Sequence, residues 1–198
     1  LQGNELRFLP AEIGDLTYLT ELQLDRNELV ALPPEIGGLT NLNVIYLRDN
    51  NLTELPRQIA GLNRLTWLYL GGNELTELPP EIGSMVGLQG LYVENNHLGR
   101  LPQEIGNLTN LIWLYLEGNK LKGLPVSIEN LTQLIQLNLR NNELIDLSSE
   151  TCTLSALVFL DLAFNRITSL PPEIGNLAAL NELHLNDNQL KELPSEIG

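Results

Sequence analysis

Four tyrosines, Tyr46, Tyr69, Tyr92 and Tyr115, recur at intervals of 23 residues, and two tryptophans, Trp67 and Trp113, each stand two residues before one of them. Phe159 continues the tryptophan row two intervals further on. Charges of both signs accompany the rings: Arg48, Glu94 and Glu117 each lie two residues after a tyrosine, and Arg140 follows Glu117 by one more interval. No nucleophile motif accompanies these residues, so the chemistry open to the set is contact. Large rigid rings carrying one polar group each, rimmed by charge, make up the energetic centres of protein interfaces.

Residues that ordinarily support catalysis are few and scattered. His97 and His184 fall in different intervals, and the sequence contains no phosphate-cradling glycine loop, no paired His and Cys ligands and no nucleophile motif. Asp25, Asp49, Glu94 and Glu117 are the acids whose pattern comes nearest to a divalent-cation site, but their spacing matches no known ligand arrangement. The expectation is therefore a non-enzymatic protein with no metal and no cofactor. A single cysteine, Cys152, cannot form an internal disulfide, which suits a reducing compartment and a small buried apolar side chain.

The 198 residues include 25 acidic and 11 basic side chains, a net charge of −14 that repels phosphate backbones and anionic membrane surfaces. Nucleic acid is thus not an expected partner. Apolar runs stay well short of the roughly 18 residues that a membrane helix needs, and no basic start followed by an apolar block opens the sequence, so membrane insertion is not expected and a cytoplasmic location is.

What positions the rings is an extended segment, as in "LIWLYLEGN" at 111–119. Side chains of a strand alternate between faces, so Leu114 and Leu116 point one way while Trp113, Tyr115 and Glu117 point the other. Stepping 23 residues from Leu19 lands on Leu42, Leu65, Leu88, Leu111, Leu134, Leu157 and Leu180 with no insertion. The whole of 1–198 is one array of about nine units written LxxLxLxxNxLxxLPxEIGxLxx, the first and last incomplete. A lone unit has too little apolar surface to fold, so each must stack on its neighbours. Asn4, Asn27, Asn50, Asn73, Asn96, Asn119, Asn142, Asn165 and Asn188 recur without exception. An inward asparagine can satisfy backbone groups freed where the chain leaves the strand, so this row reads as a structural ladder.

In the second half of each unit, a Pro after Leu (Pro33, Pro79, Pro102, Pro171) and a Glu two residues later suit the start of a short helical turn. The glycine after Ile becomes Ala60, Glu129 and Cys152 in three units, which argues against a positive φ there. The unit at 147–154, "LSSETCTL", replaces Pro by Ser148 and Ile by Thr151, and weaker packing is expected around it.

The strings "LTELQLDRNEL", "LTWLYLGGNEL", "LIWLYLEGNKL" and "LNELHLNDNQL" resemble the leucine-rich-repeat motif LxxLxLxxNxL, and the trailing "LPPEIG" is similar to the 23-residue class of Ras-group leucine-rich-repeat proteins, Roco GTPases and bacterial proteins. The resemblance implies an α/β solenoid, curved, with a parallel β-sheet on the concave face and short helical turns on the convex face. On that frame the aromatic rows lie on the concave sheet, and the leading expectation is a module that binds a protein partner there. Gly71, Gly72 and Gly118 would let something approach the backbone closely, or ease turns at the strand ends. The alternatives are a carbohydrate or small molecule stacked on the same rings, and a structural or regulatory arm of a larger signalling protein such as a GTPase. Leu1 opens within a strand and Gly198 closes within a unit, neither with a polar cap, so a longer chain is expected. Sheet edges near Leu183 and Leu185 make end-to-end or homodimeric association a further expectation.

Overall fold

The computed structural model describes residues 1–197; Gly198 lies outside them. Eight three-residue strands, β1 (Glu21–Gln23), β2 (Val44–Tyr46), β3 (Trp67–Tyr69), β4 (Gly90–Tyr92), β5 (Trp113–Tyr115), β6 (Gln136–Asn138), β7 (Phe159–Asp161) and β8 (Glu182–His184), form one parallel sheet in chain order. Pairing joins residue i to residue i+23 throughout, as in Leu91 with Leu114 and Leu114 with Leu137. The uninterrupted period leaves no other register that keeps leucine inside.

Seven apolar side chains per repeat fill the interior. In the fifth repeat they are Leu88, Leu91, Val93, Leu98, Leu101, Ile105 and Leu108, all buried. Asn96 lies deep beside them and makes four hydrogen bonds. Its Nδ2 donates to Val93 O at 3.2 Å, to Glu94 O at 3.2 Å and to Leu70 O of the preceding repeat at 3.0 Å, while its Oδ1 accepts from Leu75 N at 3.0 Å. The same pattern repeats from Asn27 to Asn188. Asn4 is the exception: it is exposed and bonds only Leu1 O and Gln2 O, because no earlier turn of the coil offers it a carbonyl and an amide among the described residues.

The residue before each asparagine turns the chain out of the strand with positive φ: Gly3, Arg26, Asp49, Gly72, Asn95, Gly118, Asn141, Phe164 and Asp187, at 53–70°. Seven are Gly, Asn or Asp; Arg26 and Phe164 hold the left-handed region against ordinary preference.

On the convex side each repeat makes one 3₁₀ turn, five residues long in most repeats, for example Pro34–Gly38 and Gln103–Asn107. The proline stands one residue before the turn, as its cap, with extended backbone (Pro33, φ −68°, ψ 147°). The glycine after Ile has no positive φ, as expected, yet it has a reason of its own. A Cβ on Gly14 would lie 2.6 Å from Glu35 O, and Gly37, Gly83, Gly106 and Gly175 meet the next repeat's carbonyl at least as closely. Absence of a side chain there lets successive turns pack backbone to backbone.

The seventh repeat departs as expected, with a turn of only three residues, Thr151–Thr153. Its two substitutions answer each other: Thr151 is fully buried where isoleucine stands elsewhere, and its hydroxyl lies 3.2 Å from that of Ser148, which replaces the proline.

Candidate functional site

Strand register sets the site. Pairing aligns Tyr46, Tyr69, Tyr92 and Tyr115 in one row, and Val44, Trp67, Gly90 and Trp113 in another on the same face. Parallel strands lie about 4.8 Å apart, close to the preferred offset-stacking distance of two rings. The tyrosines stack accordingly, with centroids 4.9, 4.6 and 5.0 Å apart and interplanar angles of 1°, 22° and 16°. All six rings are half-buried.

Trp67 and Trp113 are two strands apart, yet their ring centroids are 5.0 Å from each other. Gly90 lies between them, and a Cβ there would sit 2.5 Å from Trp67 Cε3, so the indole leans into space that any side chain would take. Trp67 also stacks near Tyr69 and Tyr92 at 6.4 and 6.3 Å. The rings form one interlocked block whose inner faces cover each other.

Gly71 does the same for the charged row. The Glu94 carboxylate leans over it to reach Arg48, with Nε–Oε1 at 3.3 Å, and a Cβ on Gly71 would collide with that carboxylate. The Arg48 guanidinium lies 4.4 Å from the Tyr69 centroid and 5.4 Å from that of Tyr92. The expected open approach to the backbone at Gly71 is therefore corrected: the molecule fills that space itself. Gly72 and Gly118 serve the positive-φ turn, the second of the two expected roles.

Opposing influences meet at Glu94. Burial pushes its carboxyl up; its own backbone N–H and Arg48 pull it down, and Glu117 and Asp49 push it up again. Glu94 Oε2 and Arg48 Nε are buried without a hydrogen bond. Burial likewise raises Tyr69, Tyr115 and, most of all, Tyr92, to about 12, with Tyr69 and Tyr115 adding to the last. Tyr92 is thus more weakly acidic folded than unfolded, where phenols titrate near pH ~10. Its contribution to stability is intact below that pH and disappears as pH rises through about 12. Absorbance titration at the phenolate band should show a late-titrating tyrosine that Tyr92→Phe removes, with the melting temperature falling over the same interval.

Phe159 and Arg140, expected in the same patch, belong to a second cluster. Phe159 meets His184 edge-on at 5.4 Å, Arg140 covers the Phe164 ring at 4.3 Å, and buried Asp161 lies 3.3 Å from His184 Nδ1 and 3.9 Å from Arg140. Polar β6 divides the clusters: the Tyr115 hydroxyl donates to Gln136, and Asn138 Nδ2 donates to Glu117 at 2.5 Å. His184 is consequently tied to Asp161, and His97 lies 2.7 Å from Glu74, so neither stands alone as a surface residue.

Little else in the molecule carries chemistry. Among the described residues no group of three or more His, Cys, Asp or Glu is placed to hold a metal ion, and no helix is long and apolar enough to cross a membrane. Cys152 is buried and its thiol is pushed up to about 11, chiefly by desolvation. Glu12, Glu35, Glu81, Glu104, Glu173 and Glu196 line the convex turns, all exposed.

Family models carry this geometry to known proteins. Leucine rich repeat matches residues 17–75, leucine-rich repeat region 59–154 and leucine rich repeats (2 copies) 155–196. The chain belongs to the leucine-rich-repeat family. Among solved structures, a leucine-rich-repeat protein of Leptospira interrogans is 32% identical with a TM-score of 0.66, covering 98% of this chain and 67% of that one. The ectodomain of the Arabidopsis thaliana receptor kinase GASSHO1/SCHENGEN3, in complex with CASPARIAN STRIP INTEGRITY FACTOR 2, is 33% identical with a TM-score of 0.86 over 96% of this chain. The plant peptide hormone receptor RGFR1, in complex with RGF2, is 31% identical with a TM-score of 0.83 over 96%. This leucine-rich-repeat chain spans 24% and 31% of those two receptors. No curated protein matches it significantly. The fold commonly serves protein–protein interaction and is generally non-enzymatic.

Proposed function

We propose that this leucine-rich-repeat chain is a recognition module that holds an extended protein segment on its concave sheet, anchored by Tyr46, Trp67, Tyr69, Tyr92, Trp113 and Tyr115. The observation that carries the reading is the interlocked ring block, half-buried and half open to solvent on the sheet, with Arg48, Glu94 and Glu117 at its rim. Its mechanism is preorganisation: rings locked by mutual stacking lose little freedom on binding. Two similar receptors are solved in complex with CASPARIAN STRIP INTEGRITY FACTOR 2 and, for the peptide hormone receptor, with RGF2, which supports the same use here. Sugar stacking is the weaker reading, since it needs an open ring face and the inner faces of this block are occupied by neighbouring rings.

The test starts from random peptides displayed on phage and selected on the whole chain. Recovered peptides should bind Trp113→Ala and Tyr92→Ala at least about 30-fold more weakly, the loss of one central anchor of about 2 kcal/mol. Equal affinity for wild type and both variants refutes the patch.

A further inference from the structure

The exact translation of the repeat makes one arrangement in the site comparable with its neighbour one step along. Arg48, in the third repeat, lies over Tyr69 and Tyr92 and pairs with Glu94. Shifting each of these residues by one repeat gives position 71, Tyr92, Tyr115 and Glu117, so both rings and the acid recur while the arginine does not: the position is Gly71. We infer that Tyr92, Tyr115, Glu94 and Glu117 form a subsite for one cationic side chain of the partner, foremost an arginine guanidinium, which takes the place that Arg48 takes one repeat earlier.

Four observations support it. The two rings already stack at 5.0 Å, so together they present a continuous aromatic edge close in spacing to the pair beneath Arg48, which stacks at 4.6 Å. Glu94 and Glu117 stand on adjacent strands about 4.8 Å apart at the backbone. Among the described residues no Lys or Arg lies within ion-pair distance of Glu117, whose only recorded side-chain partner is the neutral amide of Asn138. Glu94 has one oxygen on Arg48 and the other without a hydrogen bond. Of these two neighbouring carboxylates only Glu94 has a cation of the chain beside it, so Glu117 is left without a counter-charge and a second cation over its rings supplies one. A guanidinium suits the place better than an ammonium because its plane can lie against rings while its edge bonds carboxylates. Charge agrees on the larger scale: across the three outward rows of the sheet the acids are Glu21, Asp25, Glu94, Glu117, Asp161 and Glu182, while Arg48 and Arg140 are each committed to one of them.

The inference rests on the recognition reading above, and the experiment separates the two. Peptides selected on the wild-type chain are sorted by their dependence on Trp113, sequenced, and resynthesised with each arginine replaced by citrulline, which keeps the shape and removes the charge. The expected result is a recurrent Arg or Lys whose neutralisation weakens binding about tenfold on wild type and little on Glu117→Gln. Gly71→Arg, which supplies the cation from within the chain, should weaken the same peptides about tenfold; the side chain it meets is the movable tip of Glu94. Should that variant lose its cooperative melt, Glu117→Gln carries the test. The triple convex variant Glu35→Gln, Glu81→Gln, Glu104→Gln controls for overall charge, and a loss equal to that of Glu117→Gln overturns the subsite. Peptides that need Trp113 but are indifferent to citrulline overturn the subsite and leave the patch standing. Peptides that need neither remove both.

Discussion

Asn96→Ala is expected to lower the melting temperature by roughly 6–12 °C, taking about 3 kcal/mol for the lost bonds and 2–4 °C per kcal/mol for a chain of this size. The reasoning follows the partners. Leu70 O and Val93 O each accept from a second asparagine, Asn73 and Asn119, so they keep a bond when Asn96 is truncated. Leu75 N has no such reserve, since Asn96 Oδ1 is its acceptor and the site is buried. A stranded buried amide costs more than the net worth of the bond it lost. Asn96→Asp should do no better, because it retains the acceptor but loses both donor hydrogens and brings a charge into the core. Asn4→Ala is the internal control: Asn4 is exposed and bonds only two carbonyls nearby, so its melt should barely move. Equal shifts for Asn4→Ala and Asn96→Ala, read by circular dichroism, would show that the ladder does not act through its links between repeats.

Leu114→Ala should have the largest effect of any single truncation on β5, about 4 kcal/mol or roughly 8–16 °C, because Leu114 is fully buried between Leu91 and Leu137 and the cavity cannot be refilled without shifting both. Trp113, its immediate neighbour, should cost about 1 kcal/mol on truncation, since its outward ring loses chiefly the stack on Trp67. The pair thus separates the two faces of one strand: core loss without loss of anchors at 114, anchor loss with a nearly intact fold at 113. Melting curves and peptide affinities measured on both variants check the division, and a larger melting loss at Trp113 than at Leu114 defeats it.

Which side chains are interior, which are outward and how strands pair were legible in the sequence because they depend on period alone. A residue's row is set by its position modulo the repeat, and Leu114, Trp113 and Asn96 needed no more than that. What period does not encode is how far a long side chain leans toward a neighbour. Trp67 meets Trp113 and Glu94 meets Arg48 only because Gly90 and Gly71 leave space between them, so each contact depends on the size of a residue one repeat away. The division of the expected patch has the same origin: Gln136 and Asn138 are short and polar where rings stand on either side, and Phe159 turns to His184 instead. Reading side-chain volume along each row would have found all three. The convex glycines were read for their dihedral angle alone, and proximity of the next carbonyl, which is a property of two repeats and not of one, was not visible in the motif.

That close backbone approach has a mechanical corollary. Glu129 and Cys152 put side chains where Gly14, Gly37 and Gly106 have none, and the turn that holds Cys152 is shortened to Thr151–Thr153. In a column whose parts touch only their neighbours, resistance to pulling is that of its weakest joint. Stretched from its two ends, the coil yields first near these residues, parting into two springs, with the stacked rings of β2–β5 carried whole in the N-terminal one.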